Sequence, residues 1–193
     1  AAGCSFGHER APAIQELALA YGPPAAQPGP PVGAALEVRR FSALSPFDGT
    51  TIYFRRGGNR MDSFNYYRWV SPPASQVTDL LYRDFAAAHT FRTVFPYLST
   101  EESRFLLEGT VVEFVMERGG GSPQARLVLS VSLVDTEAQH RDRRVLLQRE
   151  FTATQALEGD SAEQFAAGMS AAVQSVSTEV LRAVSEACRA QKP

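Results

Sequence analysis

Residues 105–153 carry three long runs of β character in succession, Phe105–Arg118, Arg126–Asp135 and Val145–Ala153. They are joined only by Gly119-Gly120-Gly121-Ser122-Pro123 and by the charged stretch Thr136–Arg144. In the middle run Leu127, Leu129, Val131 and Leu133 alternate with Val128, Ser130, Ser132 and Val134, the two-residue period of a strand. A meander of this kind exposes one face and buries the other, so the rest of the chain must provide a cover. Two helical patterns do so. Ser71 at an N-cap followed by Pro72 and Pro73 opens the first, and Val77, Leu80, Leu81, Phe85 and Ala88 form its apolar stripe to about His89. The second opens on a capping box, Asp160 with Glu163 or Ser161 with Gln164. It continues through Phe165, Met169, Val173, Val176, Val180, Val184 and Cys188 to about Arg189.

The first half of the chain adds shorter strands. Residues 13–21 read as one, with Leu17, Leu19 and Tyr21 on one face. Residues 22–33, rich in proline and glycine, read as an extended linker, because proline removes backbone donors and fixes φ. Leu36, Val38 and Phe41 suggest a second strand ending at Ser45-Pro46-Phe47-Asp48-Gly49. Thr51–Arg56, Gly57-Gly58-Asn59 and Arg60–Phe64 read as a hairpin, since Gly and Asn tolerate the positive φ of a tight turn. Thr93-Val94-Phe95 predicts one more short strand. The strands and helices are segregated along the chain rather than alternating. The expectation is an α+β domain: a mainly antiparallel or mixed sheet of about six strands, with two long amphipathic helices packed on one face.

At 193 residues the chain is long enough for one ordinary domain with its own core. The net charge of −2, with both signs interspersed, leaves no electrostatic footprint for nucleic acid. No run approaches the roughly 18 to 20 apolar residues of a membrane-spanning helix. The three histidines, His8, His89 and His140, lack ligand spacing, and no metal or cofactor is expected. HExxH, GxSxG, a Walker loop and a dinucleotide fingerprint are all missing, so no catalytic residue is assigned and the chain is not expected to be an enzyme. Cys188 lies on the apolar stripe of the last helix and reads as a core thiol.

Two features bear on function. Tyr53, Phe54, Phe64, Tyr66, Tyr67 and Trp69 fall within one hairpin and its exit, and alternation prevents all of them from entering one core. Two readings stand: some line an apolar surface for a partner or a lipid, or they pack the following helix onto the sheet, with Trp69 the core member. At the other end, Ala1-Ala2-Gly3-Cys4 has small residues directly before a cysteine, as at the end of a bacterial lipoprotein signal. Ala1 stands where such signals usually have Leu, and an ordinary thiol is the alternative. Ser5 is not Asp, the residue that in many Gram-negative bacteria decides between the two membranes.

The chain as a whole resembles the ABC-type transport auxiliary lipoproteins, exported proteins that accompany transporters with mammalian-cell-entry (MCE) type subunits. The likeness rests above all on Asn65-Tyr-Tyr-Arg-Trp-Val-Ser-Pro-Pro73. Supporting it are Tyr21 before the Pro-rich segment, Leu36-Glu-Val-Arg-Arg-Phe41, Ile52-Tyr-Phe-Arg-Arg56, Thr90-Phe-Arg-Thr-Val94, Leu107-Glu-Gly-Thr-Val111 and Phe151-Thr-Ala153. The resemblance implies residues 1–12 as a flexible lipoprotein N-terminus lipidated at Cys4, and 13–193 as one α+β domain at the periplasmic face of the outer membrane. It implies an MCE-type partner, assistance to the movement of lipids or other hydrophobic compounds, and possible homo-oligomerisation. Tyr53, Phe54, Phe64, Tyr66 and Tyr67 are then the candidate partner-binding residues. A soluble periplasmic lipid carrier and a structural envelope lipoprotein are the alternatives.

Overall fold

In the computed structural model, which describes residues 12–27, 29–139 and 144–191, the chain forms one mixed sheet covered by two helices. The order is β1 (Gln15–Leu17), β2 (Val32–Val38), β3 (Ser42–Ala43), β4 (Thr51–Arg55), β5 (Met61–Trp69), α1 (Pro73–Ala88), β6 (Phe91–Pro96), β7 (Phe105–Glu117), β8 (Gln124–Asp135), β9 (Val145–Ala156) and α2 (Ala162–Arg189).

β7 organises the sheet. One of its edges pairs antiparallel with β8 from Phe105–Asp135 to Glu117–Gln124, and β9 continues the meander on the far side of β8. Its other edge takes three strands in turn, all parallel: β2 at Phe105–Leu107, β3 at Thr110–Val111 and β4 at Met116–Glu117. β4 and β5 form the expected hairpin, turning through Gly57 and Gly58 at φ +79° and +55°, values that cost glycine little. β1 lies parallel outside β5, and β6 parallel outside β2.

The α+β class holds, but the sheet has nine strands rather than about six, and five of its eight strand pairings are parallel. Periodicity specifies that a segment is a strand and which face is apolar, but not the direction of its neighbour. The single strand expected around residues 36–45 is broken into β2 and β3. Between them Phe41 leaves the ladder: its N–H donates to Thr78 Oγ1 of α1 at 3.0 Å, and its ring lies over Gly109 of β7. That position is glycine for steric reasons, since a Cβ there would meet the Ser130 carbonyl oxygen and, at 2.5 Å, the Phe41 ring.

The helix ends are close to expectation, with one change of role. Pro72 rather than Ser71 occupies the N-cap of α1, without a side-chain cap, and the Ser71 carbonyl accepts from Gln76 Nε2 at 2.8 Å. His89 closes the helix in the left-handed region at φ 53°. In α2 the capping box is Ser161 with Gln164, not Asp160 with Glu163. Trp69 is buried in the core between Phe114 and Phe165, with ring centroids at 5.4 and 5.8 Å. Cys188 is buried as expected. Beside Gly168 of α2 the Leu157 side chain, just beyond β9, occupies the space a Cβ would take, with Ala125 of β8 at 3.5 Å.

Gly109→Ala should destabilise the fold by about 1–3 kcal/mol through overpacking. A urea titration reads this directly, and an unchanged midpoint would show that Phe41 can move aside at no cost.

Candidate functional site

The hairpin that carries the candidate aromatic residues is irregular. Thr51 pairs with Arg68 and Tyr53 with Ser63, so two steps along β4 correspond to five along β5. The surplus in β5 falls within Phe64–Tyr67 and breaks strict alternation there. Phe64 and Tyr67 consequently meet on one side at 6.2 Å, and Phe64 also packs on Phe54 at 5.1 Å. The Arg118 guanidinium lies over this row, 3.9 Å from the Phe54 centroid and 4.9 Å from that of Phe64. Burial lowers the Arg118 pKa, opposed by the charge of Asp160. At the end of the row the interaction with Glu163 raises the Tyr67 phenol's pKa, and the interaction with Tyr67 lowers that of the Glu163 carboxyl.

The candidate set thus divides. Phe54 is buried, and Phe64 and Tyr67 are partly buried in the Arg118 row. Tyr66 is 49% exposed. Tyr53 packs edge-on against Phe47 at 6.3 Å and remains partly accessible. Beside Phe47 a cleft of about 460 Å³ is lined by Pro46, Met61 and Val112 together with Arg55 and Glu113. Glu113 accepts from Arg126 and from Arg55, while Arg55 also pairs with Glu117. Burial raises the Glu113 pKa, but the two arginine hydrogen bonds more than reverse this and hold it below the ordinary value. Leu44 and Met61 are also exposed on the chain around this cleft. Cys4 lies outside the described residues.

A second cluster fastens the start of the domain to both helices. The Leu19 N–H donates to Gln76 Oε1 of α1 at 2.8 Å, and the Ala20 N–H to Ser170 Oγ of α2 at 3.0 Å. Tyr21 donates its hydroxyl to Asp84 Oδ2 at 2.7 Å, and Ser177 of α2 donates to the same oxygen at 2.6 Å. Arg83 holds the other oxygen through Nε and Nη2, donates to the Tyr21 carbonyl, and lies over the Tyr21 ring. Asp84 is 1% exposed, and four donors satisfy it, as a buried carboxylate requires. Burial and the adjacent Asp84 push the Tyr21 pKa far up. The following Pro-rich stretch is not a free tether, because Gln27 N–H donates to the Ala88 carbonyl and Val32 N–H to that of Thr90. Sequence reasoning missed Asp84, Gln76 and Ser177. The signal for Asp84 was its position within the stripe of Leu81, Phe85 and Ala88, where a charged residue needs a partner.

Among the described residues no group of three or more His, Cys, Asp and Glu side chains is placed to hold a metal ion. Burial and the Asp135 charge push the Cys188 thiol up to about 12, far from a reactive thiolate. No helix among the described residues is long and apolar enough to cross a membrane.

The described residues thus present partly exposed aromatics, open clefts and a braced N-terminal segment on an α+β domain. Residues 17–181 match the family described as the ABC-type transport auxiliary lipoprotein component, and the chain belongs to that family. The fold is similar to that of protein XCC0632 from Xanthomonas campestris, with a TM-score of 0.80 and 21% identity over 93% of this chain and 100% of that one. The hypothetical protein CT253 from Chlamydia trachomatis is similar at a TM-score of 0.54 and 9% identity, covering 82% of this chain and 99% of that one. No curated protein matches the chain.

Two predictions follow from these clusters. Tyr21→Phe deprives a buried carboxylate of a donor and should cost about 1.5–3 kcal/mol, read as a shift in the urea midpoint; a change under about half a kcal/mol would mean water replaces the hydroxyl. Because the Glu113 pKa is lowered on folding, its stabilisation is fully present above the ordinary glutamate value near 4.3 and is lost as pH falls through the lower folded value. Glu113→Gln should therefore lose less stability than the native chain on acidification below about pH 4, as measured by thermal unfolding across that range.

Proposed function

We propose that this protein is a non-enzymatic docking lipoprotein, anchored through Cys4 to the periplasmic face of the outer membrane. It assists an MCE-type ABC transport system in moving lipids or other hydrophobic compounds across the envelope. Membership of the auxiliary lipoprotein family supports the transport role. Contact through the surface, rather than enclosure of a ligand, is supported by one observation: the space between sheet and helices is filled. Trp69, Phe85, Phe105, Phe114, Phe151 and Phe165 are each less than 2% exposed and occupy the volume that a carrier would leave for its cargo. The larger clefts, of about 510 and 650 Å³, open at the surface beside the charged Glu102, Arg104 and Glu137, with Val32, Ala34 and Phe105 also lining the first.

The docking residues we assign are the accessible members of the aromatic set, Tyr66 and Tyr53, with Phe54, Phe64 and Tyr67 as the packed support behind them. Tyr supplies rigid apolar area together with a polar tip, a combination enriched at protein interfaces. Lipidation at Cys4 with more than one chain would hold the domain at the membrane, where a single acyl chain binds only marginally.

Tyr66→Glu, on an exposed position, should leave the melting temperature within about a degree and reduce the transporter subunit recovered with the natively processed protein by about tenfold or more. Full recovery of that subunit with both Tyr66→Glu and Tyr53→Glu would remove this face from the interface. Stoichiometric lipid extracted from the purified protein would instead favour the carrier.

A further inference from the structure

The sheet has a notch at one end. β2 meets β7 only from the Leu36–Phe105 pair onward, so Val32–Ala35 keep β6 on one edge and have no strand on the other among the described residues. A bulge lies in the same stretch: Val32 pairs with Phe91 and Ala35 with Thr93, three steps of β2 against two of β6. Such a bulge leaves a residue out of the ladder. The notch opens into the cleft of about 510 Å³, and Val32, Gly33, Ala34 and Ala35 all line it. Successive strand residues point to opposite faces, so four in a row on one wall place the backbone edge of the strand there.

Three arginines from three different elements line this cleft: Arg92 of β6, Arg104 directly before β7 and Arg189 at the end of α2. Arg104 is fixed in place. Its Nε and Nη2 donate to the buried Asp135 carboxylate at distances between 3.0 and 3.3 Å, and its guanidinium lies over the Phe105 ring at 5.0 Å. Nη1 has no protein partner among the described residues. Arg92 and Arg189 are exposed, and neither forms an ion pair among the described residues. The carboxylates of the cleft, Glu102 and Glu137, belong with Arg104 to the adjoining cleft of about 650 Å³ as well, which Arg92 and Arg189 do not line and to which Glu37 and Glu101 contribute. Positive and negative charge thus meet at Arg104 and separate on either side of it.

We propose that this cleft binds a zwitterion: a phosphate ester that carries an ammonium group and sits beside an apolar stem. The planar forks of Arg92, Arg104 and Arg189 match phosphate oxygens, and the open backbone edge of β2 adds amide donors, more than the two oxygens of a carboxylate would use. Glu102 and Glu137 are the counter-charges for the ammonium group. Val32, Ala34 and Phe105 give the stem an apolar wall. An aminophospholipid headgroup holds these three parts together, and soluble phosphoethanolamine holds the first two. The lipid as source rests on the transport role proposed above, whereas the zwitterion site does not. A cleft open to solvent grips a headgroup without enclosing acyl chains, in keeping with a domain whose interior is filled.

Isothermal titration calorimetry of the purified 193-residue chain tests this with short-chain phosphatidylethanolamine, short-chain phosphatidylglycerol, phosphoethanolamine and inorganic phosphate. Phosphatidylethanolamine should bind about tenfold more tightly than phosphatidylglycerol, and Arg92→Glu and Arg189→Glu, both at exposed positions, should each weaken it by about tenfold with an unchanged thermal melt. Glu102→Lys should shift the preference toward phosphatidylglycerol. Tighter binding of the short-chain lipid than of phosphoethanolamine supports the membrane as source; equal affinities make the soluble zwitterion the ligand and overturn the lipid assignment. The site is overturned if neither zwitterion binds, if inorganic phosphate binds as tightly as both, or if Arg92→Glu and Arg189→Glu leave the affinity unchanged. Co-purification from cells reads the transport role separately. Recovery of the transporter subunit without zwitterion binding excludes this site alone, and zwitterion binding without any transporter subunit overturns the transport role and leaves the site standing.

Discussion

The structure depends on one strand being hydrogen-bonded along both edges to different kinds of neighbour. β7 gives one edge to β8 in a long antiparallel ladder, interrupted once, and divides the other among β2, β3 and β4. A short strand such as Ser42–Ala43 has almost no stability alone, and it exists because Thr110 and Val111 present a ready edge. The bulge at Val112, between the Val111–Leu129 and Glu113–Val128 pairs, re-aims the second half of β7. From there Phe114 reaches the Trp69–Phe165 cluster, and Glu113 turns to Arg55 and Arg126. The placement of Phe114 in the core and of Glu113 in the charged network thus follows the same local irregularity.

The helices are held to the sheet by packing and to each other by polarity. Asp84 of α1 and Ser177 of α2 meet at one carboxylate oxygen, and Tyr21 closes the cluster from the N-terminal segment. Buried apolar surface is indifferent to a small slide of one helix along another, whereas a four-donor carboxylate is not. Gln76 and Ser170 add two further fixed points by accepting from successive backbone amides. A polar cluster of this kind contributes register more than net stability.

What was legible in the sequence was local. Alternation at Leu127–Leu133, the Gly57-Gly58 turn and the Ser161–Gln164 box depend on residues within a few positions of one another, and each appears in the structure. Parallel pairing was not legible, because β1 meets β5 and β2 meets β6 across some fifty residues of chain and no periodicity encodes the partner. The aromatic set failed to sort for a specific reason. The surplus residues in β5 bring Phe64 and Tyr67 into contact on one side, so counting by twos misassigns one of them. The clusters made of single polar residues, Asp84 above all, were visible only as exceptions on an apolar stripe.

The bracing of residues 17–21 has a mechanical consequence. For a domain held at its N-terminus, a pull enters through β1, where three register pairs with β5 take the load. The next points to be loaded are the Leu19, Ala20 and Tyr21 bonds, which span both helices. The Pro-rich stretch beyond them is fastened again at Gln27, so little slack is released between one restraint and the next. Tension is therefore shared between α1 and α2 before it reaches the central ladder of β7, and the restraint that yields first is the short parallel edge. A domain held in this way would give ground by a few residues of strand while the rest of the sheet keeps its shape.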